Sequence, residues 1–259
     1  MSNLLPVENP SLSIAWAEAF LALMSPGCAE ITPLVVTVTG IDSERFDEQD
    51  EIRRLLDKTL ARYGTSCLTV ANTIFPKSLW NRSRERGLLY ERYIKHAWPR
   101  VKKCRANNRG TYFHRLIAFE NGDVPVNQLE HVIATWHKDN HRHSALQLSI
   151  FDPRHDHTDC RRMGFPCLHQ VCFTPLGTNG CEGLAVTGFY ATQHIFEKAY
   201  GNYLGLCRLG HFVAHEMKLR LVRMTCIAAS ARLGNVDKSE IEPFANRLRE
   251  LLRTAVTKP

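Results

Sequence analysis

The 259-residue sequence contains no apolar run approaching the roughly 18 residues that a membrane-spanning helix needs, which excludes a helical span. It has no internal repeat, which excludes a solenoid, and no low-complexity segment. It also lacks a regular cysteine framework. The nine cysteines are odd in number and irregular in spacing, so reduced thiols are expected rather than a set of disulfides. The start, Met1-Ser2-Asn3-Leu4-Leu5-Pro6, lacks a basic stretch followed by an apolar one. A cytoplasmic protein with no membrane partner is the expectation.

What is present is an ordinary globular composition. Hydrophobic residues make up 44%, enough to bury a sizeable core, and the expectation is a single domain over 1–259. The net charge of +7 and pI near 9.0 suit an anionic partner, a nucleotide or a nucleic acid. The basic residues are spread along the chain and are densest at Arg100-Val101-Lys102-Lys103-Cys104-Arg105. A solvated basic face is the plainer reading of them, and nucleic acid gains no specific support.

Apolar residues at helical spacing predict helices over 12–24, 46–63, 83–98, 127–138, 203–217 and 239–254. Alternation and β-branched content predict strands over 34–41, 67–75, 145–151, 168–174, 183–191 and 219–229, with a loop over 104–111. Helices interleaved with partly hairpin-paired strands predict an α+β (mixed α/β) fold. The strands over 145–191 carry apolar residues on both faces, as in Leu146 and Phe151, or Val171 and Cys172. A sheet covered by helices on one side only needs another cover, and a second copy of the chain can supply it.

Several motifs follow one another over 127–213. Asn127-Gln128-Leu129 precedes Val132-Ile133. His141-Arg142-His143-Ser144 comes next, then Ser149-Ile150-Phe151-Asp152-Pro153. Pro166-Cys167-Leu168-His169-Gln170 follows, and then Tyr190, Phe196 and Asn202. In this order they resemble the thymidylate synthase superfamily, with its arginine pair, its Ser-aromatic-Asn-Pro strand end and its Pro-Cys-His catalytic segment. Here one residue is inserted between the Cys and the His. The resemblance implies a thymidylate-synthase-like domain with a central sheet flanked by helices and a sheet face used for dimerisation. It implies one-carbon transfer, methyl or hydroxymethyl, to C5 of a pyrimidine nucleotide, nucleoside or related base, with methylenetetrahydrofolate as carbon donor.

The chemistry explains these residue types. A pyrimidine C5 is a poor nucleophile until a thiolate adds at C6, and the thiolate is later expelled. Cys167 is the counterpart of that nucleophile, with His169 beside it. Nearby positive charge must lower its pKa, and Arg161, Arg162, Arg142 and His169 are the candidate cations. Asn202 matches the asparagine that reads the base edge, because an amide both donates and accepts. Glu91, or Glu85, lies where the family relays protons through a glutamate. Arg142 would bind phosphate, across the dimer interface in a shared site, and Arg162, Tyr190 and His194 complete the substrate-binding set. Each has a plainer reading: Cys167 as a buried thiol, Asn202 as a helix N-cap, Tyr190 as core.

Departures from the family leave the substrate and donor open. Tyr190-Ala191-Thr192-Gln193-His194 lacks the family's phosphate arginine, and His194 replaces an aspartate. The ribose-binding His-x-Tyr and the short C-terminal tail have no match. A nucleotide- or partner-binding module without folate chemistry is therefore the alternative. A third reading, a zinc hydrolase or deaminase, draws on His155, His157, Cys160, Cys167, His169 and Cys172. The run from Cys167 to Cys172 has the wrong spacing for a deaminase, and His215-Glu216 is not followed by a metalloprotease histidine, so no metal is expected.

Overall fold

The structure, a computed structural model, describes residues 4–41, 46–107, 109–120, 124–138, 141–159, 166–177 and 183–256. Its strands are β1 (Leu5–Asn9), β2 (Leu34–Val38), β3 (Gln147–Ser149), β4 (Leu168–Leu176), β5 (Gly183–His194) and β6 (Leu221–Arg232). Its helices are α1 (Leu12–Met24), α2 (Asp50–Leu60), α3 (Cys67–Ile74), α4 (Gly87–Arg92), α5 (Trp98–Val101), α6 (Tyr112–Ile117), α7 (Gln128–Trp136), α8 (Pro153–Asp156), α9 (Tyr200–Glu216) and α10 (Lys238–Val256). The strands form one mixed sheet in the order β1-β2-β6-β5-β4-β3, flanked by helices. This is the mixed α+β architecture that the interleaved pattern predicts. No helix among the described residues is long and apolar enough to cross a membrane.

Strand periodicity splits the sheet into two unlike faces. Register aligns Val36, Cys226, Gly188, Val171 and Leu148 in one row, and all are buried. The next row, Thr37, Thr225, Thr187, Cys172 and Gln147, is half-buried or exposed. Helix α9 covers the buried face against β5 and β6, and α1 packs against β1, β2 and α10. Aromatic rings fill the space between, among them Trp16, Phe20, Phe196 and Phe244 at one end and Phe75, Phe113 and Phe212 at the other.

The segment expected as a strand over 67–75 is helix α3. Its buried residues Cys67, Val70, Ala71 and Ile74 have the i, i+3, i+4, i+7 spacing of a helix face, and Ser66 caps it by accepting from the Thr69 N–H at 3.1 Å. Its β-branched residues suggested a strand, but packing against α9 decides otherwise. The helices meet closely. A Cβ on Gly201 would lie 2.5 Å from Val70 Cβ, and one on Gly205 would lie 2.9 Å from Ile74 Cβ. Strand β1 went unpredicted because Pro6 lies inside it, which only an edge strand tolerates. The helix expected over 83–98 is α4 and α5 joined by a π-helical stretch, Tyr93–Ala97. Pro99 lacks an N–H to continue the ladder, and the Trp98 N–H reaches back to Tyr93 O instead.

Candidate functional site

Cys167 directly precedes β4, and its carbonyl accepts from the Ala191 N–H of β5 at 3.0 Å. Cys167 is an exposed residue that lines a cavity of about 510 Å³, with its thiol partly shielded by the surrounding protein. Helix α3 supplies Thr69, Val70 and Thr73 to this cavity, β5 supplies Thr192, Gln193 and His194, and α9 supplies Asn202. Tyr112, on α6, lines the same cavity, and burial pushes its pKa up.

Asn202 is only 5% exposed, and its amide has no hydrogen-bond partner among the described residues. It lies inside α9 and is not its N-cap, because a π-helical stretch, Ile195–Ala199, carries the helix start upstream. An enclosed amide facing a cavity with its donors and acceptor unused is available to a ligand. Beside it, Gln193 is held by Tyr203 Oη at 3.3 Å and by Cys226.

Among the described residues, the cavity lining includes Arg109, Arg115, Lys198 and His194 but no carboxylate. Arg115 is spent on Asp156, which it clasps with both terminal nitrogens. His194 pairs with Glu197 at 3.3 Å. Lys198 makes no ion pair among the described residues, and it is the cation that acts on the thiol. The surrounding protein pushes the Cys167 pKa up by withholding water, and the Lys198 ammonium pulls it back.

No protein-family model matches the chain, and no curated protein matches it either.

The sequence-predicted residues therefore divide. Cys167, Asn202 and His194 line one cavity. His169 does not, because a bulge between Leu168 and Gln170 turns it away. It stacks on Phe151 at 4.9 Å and meets the edge of Phe189, a ring on the open sheet face, at 6.2 Å. Burial holds its pKa below the ordinary value, against the pull of Asp156. Tyr190 is fully buried behind the thiol, outside the lining. Glu91 is half-exposed, pairs with Lys95 at 2.5 Å and does not face the cavity. Arg142 is exposed near β3, also away from the cavity, and Arg161 and Arg162 lie outside the described residues. Among the described residues no group of three or more His, Cys, Asp or Glu could hold a metal ion; Cys160 lies outside them.

Lys198, Tyr112, Gln193 and Arg109 were missed by motif reading. Lys198 carried no signal because it is one charge in a helical run. Tyr112 becomes visible only when α6 folds against the start of β4.

Proposed function

We propose that this chain is a thymidylate-synthase-like transferase that delivers a one-carbon unit to C5 of a pyrimidine through Cys167. One observation carries the reading: the thiol and the unpartnered, enclosed amide of Asn202 open into the same cavity. In this mechanism the Cys167 thiolate adds to C6, and the C5–C6 π pair moves onto C5 and the C4 carbonyl oxygen. C5 then attacks an electrophilic one-carbon unit at the oxidation level of formaldehyde. Loss of the C5 proton then expels the donor's amine and leaves an exocyclic methylene on C5, with the sulfur still bonded to C6. Water adds to that methylene for a hydroxymethyl product, or a hydride from a reductant for a methyl product, and expulsion of the sulfur restores the C5–C6 double bond. Lys198 holds the thiolate, and Asn202 reads the base edge.

A reduced folate is the donor that the resemblance implies. Its pterin edge is a row of N–H donors that suits a carboxylate, and among the described lining residues there is none. The lining therefore supports the donor only as a carrier of a formaldehyde-level one-carbon unit. The open sheet face, with Thr187, Thr225, Ile227 and the 38%-exposed Phe189, supports a dimer in which a second copy covers it.

The alternative, a binding module without chemistry, is favoured by the upward push on the Cys167 pKa. Release of tritium from C5-labelled CMP, UMP and their deoxy forms separates the two, because exchange at C5 needs the thiolate but no carbon donor. Release that falls at least about a hundredfold in Cys167→Ser supports the transferase. No release from any of the four, or from C5-tritiated oligouridylate and oligocytidylate and their deoxy forms, leaves the binding module.

A further inference from the structure

The segment 82–105 contains nine lysines and arginines and two glutamates, so it carries +7, the whole formal net charge of the chain. The remaining 24 basic and 24 acidic residues cancel. This concentrates charge that looked dispersed along the sequence. The segment includes one helical rod, α4 through the π-helical stretch to α5, and then a turn. Arg84, Arg100, Lys102, Lys103 and Arg105 are exposed and make no ion pair among the described residues.

The rod leads to the chemistry. Cys104, between Lys103 and Arg105, lines the Cys167 cavity, and so does Arg109 just beyond. Arg109 also lines a second cavity of about 330 Å³. One wall of that cavity is flat: the Trp98 indole stacks on the His114 imidazole at 4.0 Å. Its two buried carboxylates are already engaged, Asp156 with Arg115 and Asp152 with Arg154 and His155. Two adjoining cavities and an unneutralised basic surface exceed what one nucleotide can fill.

Building on the reading above, we infer that the target pyrimidine is presented within a single-stranded polynucleotide. The base enters the Cys167 cavity, a neighbouring nucleotide takes the cavity walled by Trp98 and His114, and the flanking phosphates lie along 82–105. Exposed cations neutralise phosphates with release of counterions, and a flat ring receives a base without regard to sequence. An unpaired strand offers its bases without the cost of opening a duplex.

The test is fluorescence anisotropy with a 5′-fluorescein decauridylate and its deoxy counterpart, using the full chain. Binding should weaken about tenfold or more as KCl rises from about 50 to about 200 mM. The triple variant Lys102→Glu, Lys103→Glu, Arg105→Glu should weaken it by at least about tenfold at the lower salt, with unchanged circular dichroism. Trp98→Ala should weaken it by about tenfold. Cys167→Ser should bind like the parent, which keeps this result separate from the covalent chemistry. Unchanged affinity in the triple variant overturns the inference. So does equal binding of polyglutamate or of phosphatidylserine vesicles. Tritium release from a mononucleotide without oligonucleotide binding also overturns it, while leaving the transferase intact.

Discussion

Phe173 and Phe189 occupy adjacent strands of one sheet and have opposite surroundings. Phe173 is 2% exposed in the row with Val38, Met224 and Val186, under the helices. Phe189 is 38% exposed in the row with Val35, Ile227, Gln170 and Ser149. The difference teaches that the same strands bury one side under the helices and leave the other side open. Two residues spaced like a catalytic pair, Cys167 and His169, are parted by the bulge after Leu168, which turns His169 away from the cavity.

The sharpest break of that comparison is a matched truncation. Phe173→Ala should cost about 3–5 kcal/mol in urea unfolding, while Phe189→Ala should cost under about 1 kcal/mol in the monomer. Equal costs would mean the two sides are not distinct. A Phe189→Ala cost that grows with protein concentration would show the open face covered by a second copy. Next in size, Gly205→Ala should destabilise by about 1–3 kcal/mol through overpacking against Ile74, read from the same unfolding curves.

Assembly gives the third prediction. Phe189→Asp puts a charge on the open face, and light scattering should then read the 29.5 kDa single-chain mass, against twice that for the parent. A dimer that survives the aspartate would move the interface elsewhere.

A smaller effect concerns pH. Folding lowers the His169 pKa from its ordinary 6.5, so just below that value the unfolded chain binds more protons than the folded one. Stability therefore falls as pH drops through that window, with burial of His114 acting in the same direction. His169→Gln should flatten part of the fall in melting temperature between about pH 7 and about pH 5. A profile identical to the parent would mean that His169 is not held neutral between Phe151 and Phe189.

Much of this arrangement was legible where a single period dominates. Leu146, Leu148 and Ile150 alternate and mark β3, and Ile241, Phe244 and Leu248 mark α10. Cys167 and Asn202 were singled out by the resemblance, and both line one cavity. The bulge after Leu168 was not legible, since it depends on how β4 registers with β5 and not on local sequence. Helix α3 was misread because Thr69, Val70, Thr73 and Ile74 favour strands in isolation, and the opposing glycines lie over a hundred residues away. Lys198 acquires meaning only once the π-helical stretch brings it to the thiol.

Those two glycines, 201 and 205, also act as a gauge on the cavity. Only hydrogen atoms separate α9 from α3 there, so the distance between the two helix axes sets how far Thr69, Val70 and Thr73 stand from Asn202. A methyl group added at either position wedges the helices apart and resizes the chamber without touching its occupant. Cys167, carried by the sheet, stays where it is. Under the proposed function, the width of the chamber and the thiol thus sit on separate mechanical elements, and substitutions on α9 alone would resize the chamber.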